Sequence, residues 1–182
     1  MGVETDDIRL QVGHTSAIDP TALAKARELL YRVFDDMTEH DWEHSLGGMH
    51  TIAWHGDSVV GHASVVQRRL RHRGRALRTG YVEGVAVDPA WRRRGIGDRM
   101  MEELERIIAI AYDVGALGAS DDAVPFYEHR GWKPWLGTTW ALTPAGIVRT
   151  PEEDDDIYLH SVGPDIDFAG DLACDWREGD AW

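Results

Sequence analysis

The residues best suited to chemistry lie between Tyr81 and Gly97. Tyr81-Val-Glu-Gly-Val-Ala-Val87 reads as an apolar strand carrying one carboxylate, Glu83. Asp88-Pro89-Ala-Trp91 breaks it, and Arg92-Arg-Arg-Gly95-Ile-Gly97 opens a helix. Gly95 and Gly97 let backbone amides approach a ligand with no Cβ in the way. The helix start, reached through Ile96, offers unpaired N–H groups and the positive end of its dipole. Arg92, Arg93 and Arg94 add charge, and a guanidinium pairs well with phosphate oxygens. A pyrophosphate is the natural occupant. The R-x-x-G-x-G pattern alone fits several phosphate ligands. It lacks the G-K-[ST] ending of a Walker A loop, and no G-x-G-x-x-G follows a first strand.

Other chemistries have little to build on. Cys174 is the sole cysteine, which excludes an intrachain disulfide and a cysteine-based zinc site. Beside Asp175 it reads as a small, semi-buried thiol rather than a nucleophile, because a neighbouring acid raises its pKa. The nine His residues show no H-E-x-x-H spacing, so no metal is expected.

The elements around this tract read as follows. Ile8, Leu10 and Val12 alternate as a first strand. Pro20–Phe34 is a helix with Asp19 as N-cap. Thr38-Glu-His-Asp41 has the form of a capping box, and Gly47-Gly48 ends that short helix. Met49–His55, Ser58–Leu70 and Leu77–Val87 are three successive strands joined by hairpin turns. Six arginines from Arg68 to Arg78 cluster around the second turn, which is read as exposed or as a subunit contact. Gly97–Tyr112 is an amphipathic helix, 116–119 a buried parallel strand and Val124–Arg130 a brief helix. Trp132 begins a strand, Pro144–Pro151 is loop and Ile157–Ser161 is a last strand. This order gives an α+β fold with a mixed central sheet, as a single domain over residues 1–182.

The net charge of -13 is unevenly placed. Residues 151–182 hold eleven acidic residues against one basic, Arg177. Asp35, Asp36, Glu39, Asp41 and Glu43 form a second concentration. Acidic runs are usually solvated faces, but Trp42, Trp176 and Trp182 are interleaved here. Carboxylates with aromatics suit a polycationic, partly apolar ligand, and nucleic acid is a poor partner for such a chain. No apolar run approaches the ~20 residues of a membrane helix. The acidic start has no signal-peptide character and Gly2 is a weak myristoylation site, so a cytoplasmic location is expected.

The strand, turn and helix of 81–112 resemble the GCN5-related N-acetyltransferase (GNAT) superfamily. So does Ala123-Val-Pro-Phe-Tyr127-Glu-His-Arg-Gly131-Trp132 downstream. Three further blocks are similar to the aminoglycoside 2'-N-acetyltransferases, particularly the mycobacterial type. They are Asp41–His50, Tyr81–Val87 and Cys174–Trp182, which span nearly the whole chain. The resemblance implies a GNAT acyl-CoA N-acyltransferase fold, with a mostly antiparallel mixed sheet flanked by helices. It also implies acetyl-CoA as donor, an aminoglycoside 2'-amine as acceptor, and a homodimer.

The resemblance also suggests roles. Glu83 is the base, through water, although a carboxylate on a solvated face or paired with an Arg is the structural alternative. Tyr127 protonates the leaving thiolate, where a core tyrosine is the commoner fate. The backbone of Val85, Ala86 and Val87 pairs with the pantetheine arm, and 92–97 holds the pyrophosphate. Asp36, Asp41, Glu152, Glu153 and Asp180 would meet ammonium groups, with N-capping a serious competitor at Asp41. Trp182 offers a terminal carboxylate and an indole, against the default of a frayed end. Gly84 and Gly118 present backbone to the acceptor, and relatives carry a hydroxyl residue at the position of Gly118. Another polyamine, amino sugar or cell-wall precursor remains an alternative acceptor. A non-catalytic binding module is a third reading, opposed by the intact Glu83, Tyr127, Gly95 and Gly97.

Overall fold

The computed structural model describes residues 7–162 and 166–182. The N-terminal stretch read for a leader or a lipid site, 1–6, lies outside them. The chain forms two compact units, Met1–Val66 with Val82–Arg106, and Gln67–Tyr81 with Ile107–Trp182.

In the first unit, β1 (Ile8–His14) pairs antiparallel with β2 (Met49–His55). β2 pairs antiparallel with the start of β3 (Ser58–His72), with a register shift at Ala53/Trp54. Helix α1 (Pro20–Val33) starts where Asp19 accepts from the Thr21 amide at 2.8 Å, with Pro20 at its first position. Its buried residues Ala22, Ala26, Leu29 and Leu30 recur at helical spacing. They pack with Trp42, Ile52, Trp54, Val59 and Ala86 in one apolar cluster. Helix α2 (Glu39–His44) begins with the expected capping box between Thr38 and Asp41. The end of β4 (Arg75–Val87) leads through a single 3-10 turn, Pro89–Trp91, into α3 (Ile96–Ala111). Ile96 and Met100 of α3 pack on Gly61, where a Cβ would come within 3.1 Å of both.

The second unit holds most of the mixed sheet, in the order β6-β9-β5-β4-β3-β10-β7-β8. Here β5 (Val114–Gly118) runs parallel to β4, and β9 (Ile157–Ser161) antiparallel to β5. β6 is only Lys133–Pro134. β10 (Asp171–Cys174) runs antiparallel to β3 and parallel to β7 (Thr138–Thr143). β8 (Gly146–Arg149) closes that edge as a hairpin with β7. Helix α4 (Val124–His129) follows β5. Two parallel pairings among otherwise antiparallel ones give the expected α+β mixed sheet. No helix among the described residues is long and apolar enough to cross a membrane.

Three expectations are corrected. Pro144–Pro151 is not loop throughout, because Gly146–Arg149 is β8 and pairs with β7. The acidic C-terminal segment is not simply a tail after a last strand, because Asp171–Cys174 inserts between β3 and β7. Leu172, Ala173 and Cys174 supply the buried side chains that a solvated run lacks. The arginine cluster is not uniformly exposed: Arg68 is buried while Arg69, Arg71, Arg73 and Arg75 are exposed.

Candidate active site

The first unit holds the strand, the turn and one acidic group. β4 bends at Gly84, whose φ is +56°. A Cβ there would lie 2.9 Å from Ser45 Oγ, 3.1 Å from Leu30 Cδ1 and 3.3 Å from His62 Cε1. Only glycine suits both the left-handed backbone and the close packing. The bend follows Glu83, which is half-buried, as are Gly84 and Val85, while Ala86 is buried. The Ser64 hydroxyl donates to the Glu83 carbonyl at 3.4 Å.

A hydrogen-bonded chain braces this bend. His62 Nδ1 lies 2.8 Å from the Gly84 carbonyl, and His50 Nδ1 lies 3.0 Å from His62 Nε2. Thr15 Oγ1 is 2.7 Å from His50 Nε2 and accepts from the Gly47 amide at 2.8 Å. A carbonyl only accepts, so each ring carries its proton on Nδ1 and every donor points toward Gly84. Both rings are neutral. Burial pushes His50 down to about 3, helped by its neighbour His62, and pushes His62 down to about 4.

After β4 the turn has two left-handed residues, Arg93 at φ +59° and Gly95 at φ +71°. Alternating backbone handedness before a helix start aims successive N–H groups into one concavity. Arg92 Nε donates to the Val87 carbonyl at 3.2 Å and Arg94 Nη2 to the Ala90 carbonyl at 3.2 Å. Arg94 also lies over the Trp91 ring, 4.7 Å from its centroid. Two of the three arginines therefore shape the turn, and Arg93 is exposed. No atom lies within 4 Å of where a Gly95 Cβ would stand. A turn of this kind fits a pyrophosphate.

Asp36 is exposed after α1. Asp41 accepts from the Thr38 amide and hydroxyl, both at 2.7 Å, so its carboxylate serves the helix start. The competing structural role at Asp41 is the one its contacts show.

The second unit holds the remaining residues. Tyr127 is buried on α4 against Phe126 and Trp132, and burial holds its phenol well above the usual tyrosine value. Gly118 is exposed at the end of β5, and a Cβ there would meet Tyr81 Oη at an ordinary 3.8 Å. The acidic run divides by role. Asp154 accepts from Thr139 and Arg149, which hold it down to about 2. Glu153 is pushed up to about 7, by burial first and then by Asp180, Asp156 and Glu152, with Arg177 opposing. Glu152, Glu153 and Asp180 thus share one electrostatic neighbourhood with Arg177.

The end of the chain is held rather than frayed. The Trp182 indole is buried and donates to Thr150 Oγ1 at 3.0 Å, while its amide donates to Asp180 Oδ1 at 3.0 Å. Arg177 donates to the terminal Trp182 oxygen. The Trp182 indole is therefore committed to packing, and the main-chain oxygen of that residue is paired with Arg177. Cys174 is buried, and its thiol is pushed up to about 11, chiefly by burial. It stays protonated and inert. Among the described residues, no group of three or more His, Cys, Asp or Glu is arranged to hold a metal ion.

Two features escaped sequence reasoning. The buried His pair gave no signal of its own. Arg68 did: it alternates with Val66, Leu70 and His72 on the buried face of β3.

Comparison with known proteins agrees with this geometry. Residues 19–132 match the Acetyltransferase (GNAT) family. The chain is 45% identical over 174 residues to an aminoglycoside 2'-N-acetyltransferase of Mycolicibacterium fortuitum, covering 93% of this chain and 89% of that one. Among solved structures it resembles the Escherichia coli GNAT family N-acetyltransferase YhbS in complex with CoA. There the TM-score is 0.68 at 17% identity, over 94% of this chain and 91% of the other. Escherichia coli ElaA matches with a TM-score of 0.59 at 18% identity, over 85% of this chain and 99% of that one. The two structures share the fold, and the family match and the close relative go further: the chain belongs to the acetyltransferase (GNAT) family and is an acetyltransferase enzyme.

Proposed function

We propose that this enzyme transfers the acetyl group of acetyl-CoA to the 2'-amine of an aminoglycoside by direct attack, conferring resistance. The observation that carries the reading is the 45% identity, along 93% of the chain, to an aminoglycoside 2'-N-acetyltransferase. The concentration of Glu152, Glu153 and Asp180 supports a cationic acceptor.

The turn 92–97 holds the pyrophosphate of the donor, and the backbone of Val85, Ala86 and Val87 pairs with its pantetheine arm as an added strand. Glu83 removes a proton from the acceptor ammonium. Carboxylates as a class are weak bases for an ammonium, so the proton passes through water. The amine nitrogen bonds to the thioester carbonyl carbon, the C–S bond breaks, Tyr127 gives its proton to the departing sulfur, and the second proton that the nitrogen sheds as it becomes an amide returns through water to the Tyr127 oxygen. Its raised pKa keeps that proton in place until the sulfur carries negative charge. The inert thiol of Cys174 leaves no candidate for a covalent acetyl-cysteine route at that residue. Asp36, Asp41, Gly84 and Gly118 complete the proposed acceptor contacts.

We place this chemistry in a single cytoplasmic catalytic domain that pairs as a homodimer. Ile147 and Val148, exposed on edge strand β8, are suited to such a pairing. Free-thiol release from acetyl-CoA, measured with aminoglycosides that have or lack a 2'-amine, tests the reading. Turnover with the first kind alone is expected, and equal turnover with both would remove the 2' selectivity.

A further inference from the structure

Arg68 lies within β3 at 4% exposure. Its Nε donates to Asp175 Oδ1 at 2.8 Å, and its Nη2 donates to the carbonyls of Asp175 at 2.9 Å and Ala181 at 2.7 Å. The guanidinium carbon stands 4.8 Å from the centroid of the Tyr81 ring, and that of Arg177 stands 5.5 Å from the same centroid. Arg177 donates in turn to the carbonyls of Asp180, at 2.8 Å, and Trp182. Two cations share one phenol ring and between them hold the main-chain oxygens of residues 175, 180, 181 and 182. The Cys174 thiol adds a contact to the Ala181 carbonyl at 3.2 Å.

Stability alone does not explain a charge in this position. A buried ion pair is often no more stabilising than apolar residues of similar size. What a guanidinium supplies and an aliphatic side chain does not is a rigid fork that fixes several oxygens at once. Here the fork sets the path of the last residues. Asp180 and the main-chain oxygen of Trp182 take their places from that path. Arg68 is also paired with Asp175, so its charge does not neutralise Asp180, Glu152 or Glu153.

We propose that Arg68 is a positioning residue for the acceptor site, fixing residues 175–182 so that Asp180 and the Trp182 main-chain oxygen meet the cationic acceptor. It governs acceptor affinity without touching the acceptor. This inference rests on the acceptor reading given above.

Arg68→Lys keeps the charge and loses the fork, and Arg68→Met keeps the bulk and loses both. In each, the KM for an aminoglycoside should rise about tenfold, the equivalent of ~1.4 kcal/mol, while the KM for acetyl-CoA stays within about twofold. Deleting Trp182 from wild type and from Arg68→Lys should give the same acceptor KM, since both changes act through one element. Proteolytic release of the segment after Asp175 should be faster from Arg68→Lys than from wild type. An unchanged acceptor KM, a parallel rise in both KM values, or additive effects of the deletion would overturn the proposal. Should Arg68→Met fail to fold, Arg68→Lys decides. If wild type turns over no aminoglycoside, the acceptor reading falls. The release rates then still test the clamp, and equal rates would overturn it.

Discussion

His50 Nδ1 stands 3.0 Å from His62 Nε2, and both rings are buried and neutral. The pair ends on the Gly84 carbonyl, so the conformation next to Glu83 depends on two uncharged imidazoles. Both folded pKa values lie below the ordinary 6.5, so the unfolded chain binds more protons between them. Their contribution to stability is fully present above about pH 6.5 and is lost as pH falls through about 4 and about 3. The melting temperature of wild type should fall steeply below pH 6, and less steeply in the double variant His50→Asn, His62→Asn. Equal slopes would show that these rings do not set the acid limit.

Gly84→Ala should be costly for two separate reasons, its φ of +56° and the 2.9 Å approach to Ser45 Oγ. The expected loss exceeds about 1 kcal/mol in urea unfolding. kcat should fall as well, because Glu83 loses its placement. A variant of wild-type stability and wild-type kcat would contradict the account of the bend.

With Glu153 in the proposed acceptor site, acceptor binding should depend on pH near neutrality. Its folded value of about 7 lies above the ordinary 4.5, so its ionised form is destabilising and stability is lost as pH rises through about 7. Ionisation also supplies the charge a cationic acceptor needs. The KM for the acceptor should therefore rise several-fold from pH 8 to pH 6. In Glu153→Gln that dependence should flatten, and the melting temperature at pH 8 should increase. A dependence that persists in Glu153→Gln would assign it elsewhere.

Tyr127→Phe removes only the hydroxyl. General-acid groups contribute about 10²–10⁴-fold, so kcat should fall by at least about tenfold with both KM values nearly unchanged. The ring packing on Phe126 and Trp132 remains, so the melting temperature should shift little. Unchanged turnover would make Tyr127 a core residue.

The helices and the first strands were legible because local signals agree there. Asp19-Pro20 and the Thr38–Asp41 box mark starts, alternation marks β1, and the turns at Gly56-Asp57 and Arg73-Gly74 bound β2 to β4. β8 and β10 were not. Gly146–Arg149 is four residues between Pro144 and Pro151, and Asp171–Cys174 is four residues inside an acidic segment. Such strands exist because β7 and β3 offer them partners, which is tertiary context rather than propensity. The turn 92–97 was legible as a turn from its glycines, whereas the commitment of Arg92 and Arg94 to carbonyls of the chain before it was not. The division of labour among carboxylates was not. Asp41 and Asp154 are committed to backbone and side-chain partners, whereas Glu153 is half-buried among other acids, and composition cannot separate them.

The nitrogen that receives the acetyl group defines the proposed function. An aminoglycoside with several amines, including one at the 2' position, should be incubated with the wild-type enzyme and acetyl-CoA, and the product's acetylated nitrogen located by two-dimensional NMR. A single product acetylated at the 2'-nitrogen is the predicted result. Acetylation at another amine, a mixture of positions, or no acetylated product would contradict it.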